Sequence, residues 1–393
     1  MARESMASGR GTKGLKLLDR YLGIPLVFAL GLLRRRRRTI PECSTVGLLE
    51  TAAIGDTVLL AGVVADLRLA FPDRKIILFV GTSNHEVACL LKGPDEVVKL
   101  PLDDPVKAIR IMRARRLDVL CDFGPWPRIN AVYTFLSGAR FTIGFRTAGQ
   151  HRHYAYDRVV DHSAAIHELE NQRNLVRPLG VEPTSVPLIM ADEPLVSSLR
   201  PKSYIVFHAW SGGYKGHLKE WPVPYWVDLA DRVVRLGLDI ALTGAAYDAV
   251  KAVALRAKCP PGWQEKVINL AGKISLSQTC RVLRDAAGVV SVNTGIMHLA
   301  AAVGGTVLAL NGPVPARRWG PVGERAVSID SEVEGCGYLN LGFEYENQRE
   351  DCMALIEPER VFSLLKKMMS HHGGTETQSR AIPFQTPPSA SRL

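Results

Sequence analysis

Short aliphatic runs separated by segments of helical spacing constrain this chain more than any other feature. Thr45–Leu49, Lys75–Val80, Asp118–Cys121 and Phe141–Ile143 form one group of runs. Tyr204–His208, Asp239–Thr243, Val289–Val292 and Thr306–Leu310 form a second. Between the first two runs, residues 56 to 71 carry apolar side chains at 58, 59, 63, 67 and 70, a helical spacing that Pro72 closes. Strands alternating with helices imply βαβ units and parallel sheets. The pattern lapses between 191 and 202, where Pro194 and Pro201 bracket a polar stretch. With 393 residues, more than one core is expected. The chain therefore reads as an α/β protein of two Rossmann-like domains, 41–195 and 196–370, with a closing helix over Glu357–Met369. Residues 371–393 are rich in Gly, Thr, Gln, Ser and Pro and are expected to be disordered.

Residues 1–40 differ from the rest. Leu22–Leu33 reads LGIPLVFALGLL and runs directly into Arg34–Arg38. The run is shorter than the ~20 apolar residues a spanning helix needs. Arginines also stand where a signal peptide has small residues. Two readings stay open: a helix packed on the body, or a shallow anchor over residues 15–38 whose arginines meet an anionic membrane surface. The net charge of +10 favours anionic partners. Nucleic acid is not expected, because no aromatic residues interleave with the basic run. The 7 cysteines are scattered, with none at C-x-x-C spacing, so neither a disulfide framework nor a zinc site is expected. A cytoplasmic, reducing compartment fits that pattern.

Chemistry concentrates at strand ends. In AAIGDT (52–57), Gly55 permits a tight turn and Asp56 opens a helix. Asp56 is either a helix cap or a general base at the carboxyl edge of the sheet. In VVSVNTGIMHLAAAVGG (289–305), a buried strand ends at Asn293-Thr294-Gly295 and an Ala-rich helix starts at once. Backbone N–H groups at such a start suit a pyrophosphate, with Thr294 and His298 on one side of it. An ordinary capped helix is the alternative. FHAWSGGYKGHLKEWP (207–222) offers backbone donors over Ser211, Gly212 and Gly213 and the cations Lys215 and Lys219 to a phosphate, or else forms a mobile surface loop with solvated lysines. In ALTGAAYD (241–248), Asp248 is either a ribose ligand or a helix-terminal acid. Neither G-x-G-x-x-G nor a P-loop motif is present at these sites, which argues against a dehydrogenase or a P-loop enzyme.

Together these stretches resemble glycosyltransferase family 9, the heptosyltransferases of lipopolysaccharide core assembly, over about residues 44–368. IGDTVLLAGVVADLRLAFPDRKI resembles the family's opening Gly-Asp loop, and GARFTIGFRTAGQHRHYAYD with His167 resembles its acceptor-side segment. LKEWP resembles its Lys-x-Trp-Pro element, and SVNTGIMHLAAAVGGTVLALNGPVPARRWGP its most specific signature. The resemblance implies a GT-B fold, two Rossmann-like domains facing across a cleft, and an inverting, metal-independent transfer from a nucleotide sugar, by family default ADP-heptose. No cofactor is implied. Asp56 becomes the base, and Ser211, Gly212, Lys219, Asp248, Asn293, Thr294, Gly295 and His298 the donor set. A lipid-linked saccharide is the implied acceptor, and Arg128, Arg146 and Arg152 belong to a basic cluster suited to it, or to a solvated face. The signature usually reads Asp-Thr-Gly, and this chain has Asn293; the phosphate loop also departs from the usual Pro-Gly-Ser/Thr form. Another nucleotide sugar serving a different surface polysaccharide, or a catalytically silent scaffold, are the alternatives these departures leave.

Overall fold

A computed structural model describes residues 19–34, 36–342 and 344–370. The segments 1–18 and 371–393, including the expected disordered tail and part of the basic segment, lie outside the described residues.

Two parallel sheets organise the chain. The first contains β1 (Thr45–Glu50), β2 (Lys75–Val80), β3 (Glu96–Lys99), β4 (Val119–Asp122), β5 (Phe141–Arg146) and β6 (Arg158–Asp161), in the order β3-β2-β1-β4-β5-β6. The second contains β7 (Tyr204–His208), β8 (Asp239–Leu242), β9 (Val267–Asn269), β10 (Gly288–Val292), β11 (Val307–Asn311) and β12 (Ala326–Asp330), in the order β12-β11-β10-β7-β8-β9. Every pairing in both is parallel. Strand order reverses between β1 and β4 and between β7 and β10. In open parallel sheets a crevice forms at such a reversal, outside the carboxyl ends of the strands.

The helices used below are α1 (Gly23–Leu33), α2 (Ile54–Ala70), α3 (Arg128–Leu136), α4 (Glu168–Val176), α5 (Val223–Arg235), α6 (Ala249–Lys258), α7 (Leu276–Asp285), α8 (Gly295–Ala302), α9 (Ala316–Trp319) and α10 (Pro358–Ser370). The domains share apolar packing rather than merely abutting. One buried cluster joins Val58, Leu60, Val63 and Leu67 of α2 to Leu299, Ala300 and Val303 at α8. Each buried Val or Leu side chain there is worth roughly 1.5–3 kcal/mol. The crossing segment joins in: Ile189 and Ala191 belong to the same cluster, and the Ile189 N–H donates to the Ala302 carbonyl at 3.0 Å. Asp66 Oδ1 accepts from the N–H groups of Thr184 (3.1 Å) and Ser185 (2.9 Å).

Helix α1 packs on α3 and on the turn Arg152–Ala155, burying Val27 with Ala131, Ala155 and Tyr156. Leu32 (75%) and Leu33 (79%) at its end are exposed, as are Tyr21 (70%) and Leu22 (62%) just before it. At its end, Arg34 forms an ion pair with Asp157, which also accepts from the Arg37 N–H at 3.0 Å. Among the described residues, no helix is long and apolar enough to cross a membrane.

One sequence expectation is corrected. Cys336 and Cys352 form a disulfide, with Cα atoms 5.6 Å apart. Segment 331–355 leaves β12 and folds back on the second domain, bringing together two cysteines separated by 16 positions. No short-spacing motif reveals such a pair.

Candidate functional site

The carboxyl ends of β7, β8 and β10 are neighbours in the second sheet, and the loops after them form one wall of the interdomain cleft. After β10, Thr294 occupies the cap position of α8 in an extended conformation, but its side chain makes no capping bond. Thr294 Oγ1 is buried without a protein partner, and so is Nδ1 of His298, one turn into the helix. Buried polar atoms call for a partner, and these two stand together at one helix start, where a ligand could supply it. Burial holds the His298 ring down at about 3, with His167 close by adding to the effect, so the imidazole is neutral.

Directly opposite is the start of α2, which follows β1 of the first domain. A methyl group on Gly295 would lie 2.7 Å from Ile54 Cβ and 2.9 Å from the Gly55 nitrogen. One on Gly55 would lie 2.9 Å from His298 Cδ2. The two helix starts therefore meet through a pair of glycines, with half-buried Asp56 one residue from the contact. Gln172 of α4 steadies this turn by donating to the Asp56 carbonyl at 2.9 Å. Ala53, just before the helix, has φ 41°, a left-handed conformation costing on the order of 1–3 kcal/mol for a non-glycine residue. The Ala52 N–H is held at 3.0 Å by Glu50 Oε1.

The loop after β7 carries the next residues. Lys215 also has a positive φ, 50°, and leads into the single turn Gly216–Lys219. Ser211 donates its N–H to Glu220 Oε1 at 3.3 Å, while Gly212 is exposed beside the Tyr247 hydroxyl. Lys219 is half-buried at the end of that turn. The disulfide-closed segment lies over this loop: Leu339 and Tyr345 pack with Leu218 and Val314. After β8, Asp248 is buried, and its Oδ2 accepts from the Ala245 N–H at 3.0 Å. Burial raises its pKa, an effect the Ala245 hydrogen bond opposes.

Asn293 has defined partners. Its Nδ2 donates to Asn311 Oδ1 at 2.7 Å and to the Trp319 carbonyl at 3.0 Å. An ionised aspartate at this position has no hydrogen to donate to either. The departure from Asp-Thr-Gly therefore changes how the loop is held, by tying β10 to β11 and α9.

The three arginines read as part of a basic cluster, suited to the acceptor or else a solvated face, are not gathered on one surface. Arg128 is buried beneath α1, ion-paired with Asp19 at 2.6 Å and donating to the Gln150 and Gly149 carbonyls. Arg152 is fully buried, paired with Asp122 at 2.5 Å, and donates to the Gly124 carbonyl. Buried guanidinium groups need such partners to offset desolvation. Only Arg146 of the three is exposed, in a two-pronged pair with Asp161. Sequence reading also missed Arg318 of α9 and Glu168 of α4, which pair across the domains inside the protein. Their adjacency depends on the docking of one domain against the other, which no local spacing encodes.

Residues 129–338 match the family described as glycosyltransferase family 9 (heptosyltransferase). The lipooligosaccharide heptosyltransferase 2 of Haemophilus influenzae is 32% identical over 118 residues, covering 30% of this chain and 34% of that protein. The lipopolysaccharide heptosyltransferase 1 of Pseudomonas aeruginosa is 29% identical over 164 residues, covering 38% of this chain and 44% of that protein. The chain thus matches less than half the length of these relatives. In fold, the Escherichia coli ADP-heptose lipopolysaccharide heptosyltransferase II superposes with TM-score 0.71 at 19% identity, over 84% of this chain and all (100%) of that one. An Escherichia coli heptosyltransferase solved with ADP superposes with TM-score 0.67 at 20% identity, over 82% of this chain and 99% of that one. The architecture is GT-B, with two parallel α/β domains across a cleft. On the family match over more than half of its length, the chain belongs to glycosyltransferase family 9, the heptosyltransferase family.

Proposed function

We infer that this chain transfers a heptose from a nucleotide diphosphate to a lipid-linked saccharide of the lipopolysaccharide core type. One observation carries the reading. The start of α8, with its two orphaned polar atoms, faces the start of α2 and Asp56 through the Gly55–Gly295 contact. A diphosphate beside α8 would find backbone donors, the Thr294 hydroxyl, the neutral His298 imidazole and the Lys219 ammonium within one wall. Asp56 sits on the other wall, where it would accept the proton of an acceptor hydroxyl.

The chemistry follows from that opposition. The acceptor oxygen forms a bond to the anomeric carbon as the bond from that carbon to the diphosphate oxygen breaks. Attack from the face opposite the leaving group inverts the anomeric centre. Charge grows on the departing diphosphate, and fixed donors aimed at it lower the barrier without reorganising. In this reading that charge is met by Lys219 and the helix start rather than by a metal ion. Asp248 and the segment Ser211–Gly212 would line the nucleotide side. The names of the relatives point to heptose as the sugar, and those of the solved neighbours to ADP-heptose as the favoured donor.

Asn293 motivates a second reading, a different nucleotide sugar, because its amide serves Asn311 and Trp319. A screen of ADP- and UDP-sugars for protection against thermal unfolding separates the two. Stabilisation by ADP-heptose followed by transfer to a heptose-deficient lipopolysaccharide supports the first, and stabilisation by another sugar alone supports the second.

On the acceptor side, Arg146 remains the surface member of the proposed set. Arg128 and Arg152 would act only by holding the wall from inside. The apolar face of α1, flanked by Arg36, Arg37 and Arg38, is proposed to rest on an anionic membrane at the cytoplasmic side. Flotation with vesicles containing anionic lipid tests this: L32E/L33E should abolish co-flotation, and unchanged flotation would remove the anchor from the account.

A further inference from the structure

Away from the glycine contact, the domains are joined by buried charge. Arg318 is 0% exposed, and its Nη2 donates to Glu168 Oε2, itself on a residue 1% exposed. Asn171 Nδ2 donates to the same oxygen at 3.2 Å, and His162 Nε2 lies 3.0 Å from it. Trp126 and Phe145 stand edge-on to the His162 ring, at 5.3 and 5.0 Å. On the other side, Arg318 Nε donates to the Asn340 carbonyl at 2.8 Å. A second polar contact crosses alongside: His167 Nε2 and the Gly320 carbonyl are 2.9 Å apart.

Separated, a buried guanidinium and carboxylate must either stay unpaired at high cost or take up water. A pair divided between two domains therefore favours the joined arrangement, and parting it requires water to reach both groups. This pair also touches the donor wall. Arg318 is adjacent to Trp319, whose carbonyl accepts from Asn293. Asn293 in turn adjoins Thr294 and the orphaned atoms of α8.

We propose that Glu168 and Arg318 form a latch holding the two domains in the closed register, with Asn293 and Trp319 linking the donor loop to it. Both are positioning residues. The inference rests on the transferase reading, in which Asp56 and the donor loop act from opposite domains. In-line attack needs reacting atoms held about 3–3.5 Å apart, and a shift of about 1 Å between the walls can cost on the order of 100-fold in rate. In that reading the donor set belongs to the second domain, so parting the latch is expected to leave ADP binding intact.

The test uses the full chain with E168Q and the double variant E168Q/R318M, which leaves no lone buried charge. ADP binding is measured by calorimetry, transfer from ADP-heptose by kcat and KM, and domain opening by the radius of gyration in small-angle X-ray scattering. The latch predicts an ADP Kd within about 2-fold of wild type for both variants, kcat at least 10-fold lower, and a larger radius of gyration. If E168Q does not fold, the double variant decides alone. Recovery of both wild-type kcat and wild-type scattering by the double variant would reduce the pair to a structural contact and overturn the proposal. If the wild type fails to bind ADP, the transferase reading falls, while the scattering comparison still decides whether the pair latches the domains.

Discussion

The His298 ring lies against Gly55, so closely that a methyl group at position 55 would stand 2.9 Å from its Cδ2. These residues belong to different domains, and the contact sets the spacing of the two walls next to Asp56. Gly55→Ala must push α8 away from α2 or rotate His298. Transfer should fall by at least ~10-fold, toward the ~100-fold expected of a misplacement near 1 Å. Steady-state rates of the purified variant check this, and wild-type activity would show that the walls are not set here.

Asn293→Asp removes the two hydrogens given to Asn311 Oδ1 and the Trp319 carbonyl and sets a carboxylate against both oxygens. Leaving buried polar groups unpaired costs about 1–3 kcal/mol, and more with charge. Urea unfolding at pH 8 should therefore show a loss of about 2 kcal/mol or more. The loss should shrink at low pH, where a protonated carboxyl regains one donor. No loss at pH 8 would mean that the amide's bonds do not hold the loop.

The low pKa of His298 makes a stability prediction. In the unfolded chain a histidine titrates near ~6.5, whereas burial, together with nearby His167, holds His298 at about 3 when folded. Protonation thus favours unfolding. The cost is absent above about pH 7 and grows as pH falls from about 6.5 toward 3, by up to ~1.4 kcal/mol per pH unit. His298→Gln cannot take up that proton, so its melting temperature should fall less steeply between pH 6.5 and 4. His208, held at about 4 by burial, acts in the same sense and is present in both proteins. Parallel profiles from calorimetry would contradict a buried neutral His298.

Reducing the Cys336–Cys352 disulfide should loosen the segment over the Gly216–Lys219 turn. Closing a loop of about this length is worth roughly 3 kcal/mol in the chain-entropy account. A reductant should lower the melting temperature of the wild type and leave C336S/C352S unchanged. An equal response of the two proteins would place the effect elsewhere.

Much of this architecture is written in the sequence, and the parts that are not share a cause. The strands legible as apolar runs (β1, β2, β4, β5, β7, β8, β10 and β11) are the interior strands of the two sheets. Those missed, β3 (EVVK), β6 (RVVD), β9 (VIN) and β12 (AVSID), are the four edges. Interior strands of a parallel sheet are covered on both faces and must be continuously apolar. Edge strands are short and carry charge, which removes that signal. The same division holds at the site. Asp56, Asn293, Thr294, Gly295 and His298 lie at strand-end-to-helix-start junctions, which the local pattern marks. The burial of Arg128 and Arg152, the Cys336–Cys352 bridge and the Glu168–Arg318 pair arise only when distant segments dock, so spacing carries no trace of them.

The most direct test compares wild type with Asp56→Asn in single-turnover transfer from ADP-heptose to a heptose-deficient lipopolysaccharide, with ADP binding measured on both. ADP affinity should stay within about 2-fold and transfer should slow by roughly 10²–10⁴-fold, the range for loss of a general base. Transfer by the variant at the wild-type rate would contradict the assignment of Asp56 as the base and, with it, the opposition of the two helix starts as the catalytic arrangement.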